Sequence, residues 1–510
     1  MRKQFAAVIG LTALACTGCQ LSFLLGAKKP AAVNVADCQP KQPEETEQAP
    51  SVVSAAPAEN SEGGANVQLA SAEVADAGAI KPVRGPDPSN LSLDDAIETG
   101  LVQNPDLVAL RQSEGVSAAA FGVAQTYPFN PFVQVRATPY QLNNQGGSGS
   151  IYHYVLLIQQ VQLAHQQQFR EQIAASQLNQ VRWNICNAEL LNSAQTARLY
   201  FLALYQRGIR DLTRTNAELN EQLLRISERQ VAEGSITKAD VAIVRIDARS
   251  TRQQADLAEA NYQTSLLDLR RQLNIPLDVP VSLTGDLTAF RWKSARDAAT
   301  AQIRSDENPV ELIIADDTNL IKQLAGGRPD LMAAHADIET AYANYRLANA
   351  ARTPDLQIGP FYQRDDFGTL YAGFQAQMDL PIMNNGKPLV RQRVAEQSQR
   401  QVFWQQLVNR AEVDAVSAVD RYERARRLVE AARPEFATDL PTELQRLEEQ
   451  FQANEVDVLR IFQGRTSLMQ NRRASLDLLN ELAQATAALT AAAAIPTAVL
   501  VQPGNSSTQY

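Results

Sequence analysis

The segment NPDLVALR, Asn104–Arg111, returns in nearly the same form as RPDLMAAH, Arg328–His335, 224 residues later (328 − 104). A second pair of segments, QVAEGSITKADV from Gln230 and QFQANEVDVL from Gln450, is offset by 220 residues (450 − 230). Two landmarks with nearly equal offsets indicate that the chain contains two copies of one half. A repeat of this length is too long for a solenoid unit, so the sequence predicts a duplicated supersecondary block.

The composition excludes several classes of protein. Charged residues make up 20% of the 510 residues and the net charge is −9, which disfavours nucleic acid because that partner needs a basic surface. Three histidines and four cysteines leave little material for a metal enzyme, and we expect no cofactor. A mean hydropathy of −0.26 excludes a bundle of transmembrane helices.

The N-terminus has the pattern of a targeting segment. Arg2 and Lys3 precede an apolar run, Phe5–Ala15, that is too short to span a bilayer stably. The next segment, ALACTGCQ, resembles a bacterial lipobox, in which small residues precede a cysteine that becomes the acylated mature N-terminus. Cys19 is the favoured lipidation site and Cys16 is the alternative, with an ordinary secretory signal as the third possibility.

Residues 1–18 are therefore predicted to be a signal peptide and residues 19–88 a disordered, acidic, Ala/Pro-rich tether. Low hydrophobicity combined with net charge resists folding into a core. The tether contains Cys38, for which the sequence shows no evident partner.

Residues 89–282 are predicted to form the first repeat. Ser92 is placed to cap its opening helix. Two strands at about 131–162 follow, where apolar and polar residues alternate with a period of two. Helical spacing runs from about 164 to 274, and EGSITKADV divides it into an antiparallel hairpin of helices with a tight tip.

Residues 328–493 are predicted to repeat this order. The strands lie at about 355–382 and the helical hairpin at about 388–493, with a break expected near Pro434 and Pro441. The segment LYAGFQAQMDLPI alternates most clearly and matches the length of a tilted strand that crosses a membrane. Residues 283–327 are predicted to connect the repeats, as an equatorial connector if the resemblance named below holds, and residues 494–510 to form a C-terminal tail.

This order of elements resembles the TolC-like outer-membrane efflux protein family, in its lipoprotein form. The resemblance rests on the two x-P-D-L helix starts, the DLPIMNNGK corner between strand and helix, and the two hairpin tips. It implies a mainly α fold with a transmembrane β part. Each repeat supplies two strands and a long helical hairpin, and three chains form a 12-stranded β-barrel on an α-helical tunnel. A sheet in lipid must close, because otherwise its edge groups stay unpaired.

The resemblance further implies a function without catalysis. It predicts the outer-membrane channel of a tripartite efflux system, lipid-anchored in the bacterial outer membrane and extending into the periplasm. The channel would passively conduct what an inner-membrane pump exports through a periplasmic adaptor. The expected adaptor contacts are the residues of the two tips, namely Gly234, Ser235, Ile236, Thr237, Asn454, Glu455, Val456 and Asp457.

The family often places acidic residues six and nine positions after the second tip, where they constrict the tunnel. Here those positions hold Arg460 and Gln463, a departure that puts an acidic gate in doubt. Asp240 holds the matching place in the first repeat, and these three residues are the constriction candidates.

Other readings remain open at this point. A coiled-coil envelope lipoprotein with a structural role and a type I protein-secretion conduit are the alternatives. A hydrolase would need a nucleophile beside a base, and the sequence offers none. His335 with Glu339, and Asp365 with Asp366, are interpreted as solvated pairs, and Cys186 as a small buried residue of the long helix.

Overall fold

The computed structural model describes residues 90–138, 152–232, 237–305, 325–365, 367–436 and 458–503, without the side chains at 302–305, 434–436, 458–462 and 503. Two similar halves follow one another along the chain, and each combines two strands with long helices. Part of the connector between the halves pairs with residues near the C-terminus.

The elements of the first half follow the predicted order. They are α1 (Leu93–Gln103), α2 (Pro105–Gln125), β1 (Phe132–Thr138), β2 (Tyr152–Val161), α3 (Gln166–Ala232) and α4 (Lys238–Leu273). Ser92 caps α1 in a capping box with Asp95. Asn274, with a left-handed φ of 54°, ends α4.

The second half contains α6 (Pro329–Ala350), β4 (Leu356–Arg364), β5 (Leu370–Met378), α7 (Lys387–Phe436) and α8 (Val458–Ala493). Gly386, with φ of 70°, forms the corner that leads into α7. Pro434 lies in the last described turn of α7, and the predicted break at Pro441 falls outside the described residues. Helices α4 and α8 are both 36 residues long and are offset by 220 residues (458 − 238), the offset that the sequence predicts for the tips.

The connector is joined to the C-terminal tail. It forms a 3-10 turn (Leu287–Ala289), β3 (Phe290–Trp292) and α5 (Ala295–Ser305), and the tail forms α9 (Thr497–Leu500) and β6 (Val501–Pro503). Strands β3 and β6 pair in antiparallel fashion, and α5 packs against α9 and α7. The sequence patterns do not predict this pairing, because each strand is only three residues long.

Four columns organise the molecule. The strands are ordered β1-β2-β4-β5, all antiparallel, and the helices that follow or precede them pack in the same order, α2-α3-α6-α7. Further along, α4, α3, α8 and α7 form the corresponding row. Helix α4 meets the start of α2 where Asn104 Nδ2 donates to Gln272 O at 3.0 Å. Helix α8 meets α6 where Arg328 Nη1 donates to Ala492 O at 3.3 Å.

Helix α3 runs the length of the second column. Its 67 residues contain no proline and would extend about 100 Å at 1.5 Å per residue. Gly208 lies within it, and a Cβ there would stand 3.3 Å from Leu476 of α8. The glycine therefore allows α3 and α8 to approach closely at this level.

The largest apolar core lies at the level of the connector, where it joins both repeats. Tyr200 of α3 and Tyr422 of α7, which hold equivalent places in the two repeats, are both fully buried. The Tyr200 hydroxyl lies 2.7 Å from Thr284 O and 3.1 Å from Leu91 O, so these two carbonyl oxygens share its single proton. Tyr422 Oη donates to Lys293 O at 2.5 Å. These hydroxyls fix the connector to the two long helices.

Candidate channel wall and hairpin end

The four-stranded sheet has one exposed apolar face. The register places Val133, Leu157, Pro360 and Phe374 side by side on it, and the rows on either side are also largely apolar. In the single chain the large side chains of this face are exposed, including Val133 (61%), Val135 (65%), Leu157 (43%), Ile358 (40%) and Phe374 (80%). A contiguous exposed apolar surface of this kind marks a contact with lipid or protein.

The opposite face of the sheet is rich in polar side chains. Glutamines recur there on all four strands, at Gln134, Gln160, Gln357, Gln363, Gln375 and Gln377. Tyr154 stacks on Phe361 and donates from its hydroxyl to Gln375 Oε1 at 2.8 Å. One apolar face and one hydrogen-bonding face is the arrangement expected of a wall between lipid and water.

The sheet and the two rows of helices end at the same two sides of the chain. β1 and β5 are the edge strands of the sheet, so each has one side without a partner among the described residues. Below them, α2 and α4 end the rows on the β1 side, and α7 ends them on the β5 side. An unpaired strand edge is a template for another strand, and the coinciding open ends indicate that the rows continue in a neighbouring chain.

Helix α4 carries an apolar seam on its side away from α3. Its positions are spaced alternately by three and four residues, a heptad pattern, and comprise Ile243, Ile246, Ser250, Gln253, Leu257, Ala260, Thr264 and Leu267. The four large apolar members are 52–69% exposed. This seam is not among the sequence predictions, although its heptad spacing is a signal that could have found it.

The helical hairpin of the first repeat ends in a capping box. Thr237 Oγ1 accepts from Asp240 N at 3.3 Å, and Asp240 Oδ2 accepts from Thr237 N at 3.1 Å and from its hydroxyl at 2.7 Å. These bonds satisfy the first amides of α4. The remaining predicted tip residues, Gly234, Ser235, Ile236, Asn454, Glu455, Val456 and Asp457, lie outside the described residues.

The three constriction candidates have different surroundings. Asp240 is engaged by the cap, so its carboxylate is already bonded within its own helix. Gln463 is exposed on α8, and Arg460 lies in the first turn of α8, where side chains are not described. Seven residues beyond Asp240, burial raises the pKa of Asp247 above its usual value. Asp247 is not among the residues predicted from the sequence.

The remaining sequence candidates are described by their contacts. His335 Nδ1 lies 3.5 Å from Glu339 Oε1, with both side chains about half exposed. Asp365 Oδ1 accepts from the amides of Phe367 and Thr369, at 3.0 and 2.8 Å, and so stabilises the turn between β4 and β5.

Cys186 is buried, in agreement with its interpretation, with 6% of its surface exposed, and it is also disulfide-bonded. The favoured and alternative lipidation sites, Cys19 and Cys16, lie outside the described residues, and so does Cys38. No helix in the described part of the chain is both long and apolar enough to cross a membrane.

Known proteins share this arrangement. The structure matches CusC, a protein studied for transmembrane channel formation, with a TM-score of 0.60 and 17% identity over 79% of this chain and 91% of CusC. It matches the CmeC outer membrane channel of Campylobacter jejuni with a TM-score of 0.61 and 14% identity over 79% of this chain and 85% of CmeC. The chain has the TolC-like outer-membrane channel fold.

Sequence comparison also finds an outer membrane protein, over a smaller part of the chain. No protein-family profile matches this chain. The pyoverdine export outer membrane protein OpmQ of Pseudomonas aeruginosa is 24% identical over 220 residues. That match covers 42% of this chain and 42% of OpmQ, so less than half of the relative's length is spanned. The outer-membrane location expected from the sequence agrees with the names of OpmQ and CmeC.

Proposed function

We propose that three copies of this chain form an outer-membrane efflux channel. The channel passively conducts substrates that an inner-membrane pump exports through a periplasmic adaptor. The observation that carries the proposal is the coincidence of open ends. The sheet ends at β1 and β5, and the helix rows end at α2 or α4 on the β1 side and at α7 on the β5 side. A rotation between neighbouring chains that brings β5 beside β1 of the next chain therefore also brings α7 beside α2 and α4. A closed ring satisfies every layer at once.

Closure in lipid explains the two faces of the sheet. Four strands are too few to enclose a water-filled bore, whereas twelve strands from three chains suffice. The exposed apolar face with Val133, Val135 and Phe374 then meets lipid, and the glutamine-rich face lines the bore. This arrangement favours a channel over the coiled-coil spacer, which needs no amphipathic sheet.

The helical part supports a conduit rather than an enzyme. Between α3 and α4, polar pairs such as Arg252–Glu221 and Arg245–Glu228 join the helices near the hairpin end. We propose that the tip residues, including Thr237 and the acidic Glu455 and Asp457, contact the adaptor. Cys19 is proposed to carry the lipid that holds the chain at the membrane, because several acyl chains anchor a protein durably.

The proposal extends to the molecule that the channel transports. The sequence relative is named for the export of pyoverdine, which makes that molecule the first cargo to test. In this proposal the energy for transport comes from the pump, and this chain is the passive conduit.

Assembly and conduction test the proposal together. We expect the detergent-purified protein to have the molar mass of three chains by light scattering and to conduct ions in planar bilayers. Ile246→Glu in the α4 seam should shift the protein toward monomers and abolish conductance, because an unpaired charge would be buried between chains.

Gln263→Glu is the matched control. It adds the same charge on an exposed flank of α4, where Gln263 donates to Glu259 of the same helix at 2.7 Å. This variant should remain trimeric. A wild-type protein that is monomeric and never conducts, or an Ile246→Glu variant that keeps the trimer, would contradict the proposal.

A further inference from the structure

A cavity of about 520 Å³ lies beside the connector, apart from the sheet and from the hairpin end. It is bounded by the 3-10 turn and β3 on one side and by α7 and α8 on the other. Ligand-binding cavities commonly have volumes of roughly 300–1,000 Å³. We infer that this cavity binds a small organic anion, whose oxyanion group meets arginines at the mouth and whose flat apolar part lies against aromatic and aliphatic side chains.

One wall of the cavity is aromatic. Phe290 and Trp292 of β3 line it, and the centroids of their rings are 6.2 Å apart. Each ring also packs against the fully buried Phe201 of α3, with centroids 5.6 Å apart. Pairing of β3 with β6 holds the backbone of both residues. The wall is therefore formed before a ligand arrives, which lowers the entropic cost of binding.

The opposite wall combines two helices. Helix α8 contributes Leu479 and Leu482, which are both buried. Helix α7 contributes four residues with helical spacing, which places them on one side of that helix, namely Arg426, Val429, Glu430 and Arg433. The cavity thus has aliphatic side chains inside and charged side chains on one flank, as expected of a site for an amphipathic ligand.

The charges around the cavity do not cancel. Arg426 is compensated, because its Nε donates to Glu423 at 2.9 Å and it also pairs with Glu430. Arg291 and Arg433 line the cavity and are exposed, so they lie at its mouth. Neither of them has an ion pair or a hydrogen-bonded partner for its side chain in the described part of the chain. Because the whole chain has a net charge of −9, this positive excess is local.

The two uncompensated guanidinium groups favour an oxyanion. A guanidinium presents its N–H donors in a plane that matches a carboxylate or a phosphate, and such charged hydrogen bonds are stronger than neutral ones. The indole N–H of Trp292 is a further donor, since it is buried and has no acceptor among the residues that the structure describes. A ligand oxygen that enters beside the ring would satisfy it. A neutral apolar molecule would leave these donors unused.

Binding of matched ligands tests the inference on the full-length protein in amphipol, where no detergent micelles take up the ligands. 1-Naphthoate and 1-naphthyl phosphate carry an oxyanion on one flat apolar body, and 1-naphthamide is a neutral analogue. Isothermal titration calorimetry should show that at least one anion binds once per chain and about tenfold more tightly than the amide. The anion that binds more tightly identifies the oxyanion that the site prefers.

Two substitutions at the mouth assign this binding to the cavity. Arg291→Gln and Arg433→Gln each remove one guanidinium from an exposed side chain, so the fold should be retained. Each should weaken binding of the preferred anion about tenfold and change binding of the amide by less than about twofold. The two arginines lie on different elements, β3 and α7, so one variant remains informative if the other folds poorly.

Arg427→Gln is the matched control. Arg427 follows Arg426 on α7 but does not line the cavity, and its Nε donates to Glu423 O of its own helix at 3.2 Å. This variant loses the same charge and should bind the anion as the wild-type protein does. Equal weakening in Arg427→Gln and in both mouth variants, or anions that bind no more tightly than the amide, would overturn the inference.

The inference is independent of the proposed channel, because one chain supplies every residue that lines the cavity. Calorimetry reports the cavity, whereas conductance in planar bilayers reports the channel. Anion binding by a protein that never conducts would refute only the channel. A conducting protein without the preference for an anion would refute only this inference.

Discussion

Asp240 has two candidate roles, as a constriction of the tunnel and as a cap of α4. Its place after the first tip makes it a constriction candidate, yet its carboxylate accepts two hydrogen bonds from Thr237. A carboxylate at the start of a helix is also stabilised by the helix dipole. The local geometry therefore favours a capping role.

Two substitutions separate capping from gating. Asp240→Asn keeps an oxygen that can accept from the Thr237 amide, so we expect a change in stability below about 0.5 kcal/mol and an unchanged ion selectivity. Thr237→Ala removes the cap and should cost about 1 kcal/mol, seen as faster hydrogen exchange in the first turn of α4. A loss of cation selectivity in Asp240→Asn alone would show that the charge acts in the tunnel.

Among the elements, the sheet depends on one close approach between neighbouring strands. A Cβ added at Gly359 of β4 would stand 1.6 Å from Leu157 O of β2, which no rearrangement of side chains can relieve. At Gly373 of β5 the nearest atom belongs to the Phe361 ring, at 2.9 Å. Only the first glycine is demanded by backbone packing.

We therefore expect the two glycines to differ in their tolerance of alanine. Gly359→Ala should force β2 and β4 apart and lower the free energy of unfolding by about 1–3 kcal/mol. Gly373→Ala should lower it by less, because the Phe361 ring can move. Thermal unfolding followed by circular dichroism measures both. Equal stability of the two variants would contradict the close approach of β2 and β4.

At the scale of the whole molecule, two buried tyrosines hold the repeats to the connector. Burial raises the pKa of Tyr200 to about 12, and burial also raises the pKa of Tyr422. Tyr205, which donates to Asp477 of α8 at 2.6 Å, has its pKa raised to about 12 by burial and by that carboxylate. The joined core therefore depends on protonated phenols.

This dependence predicts sensitivity to alkali. The pKa of an unfolded tyrosine is 10.0 and burial raises that of folded Tyr200 to about 12, so the contribution of Tyr200 to stability is complete below pH 10 and is lost as the pH rises to about 12. Wild-type stability in urea should fall across this range, together with a rise in tyrosinate absorbance. Tyr200→Phe should be less stable by about 1 kcal/mol at neutral pH but should lose less in alkali. An identical pH dependence would exclude Tyr200 as a cause.

The sequence by itself determined the repeat, the order of strands and long helices, and the caps at Ser92 and Thr237. These features depend on residues close together in the chain, because hydrogen bonds and side-chain periodicity within one element are local. For the same reason the sequence predicted the amphipathic strand at 370–378 and the corner at Gly386.

Only the tertiary structure decided which segments meet. It placed β3 against β6, more than 200 residues later in the chain, and brought the end of α4 to the start of α2. It also showed that position 359 requires glycine, because a Cβ there would clash with the backbone of β2. It further showed that the buried Cys186 is disulfide-bonded, which the sequence does not predict. Such contacts depend on the three-dimensional path of distant segments, which the periodicity of any single segment does not encode.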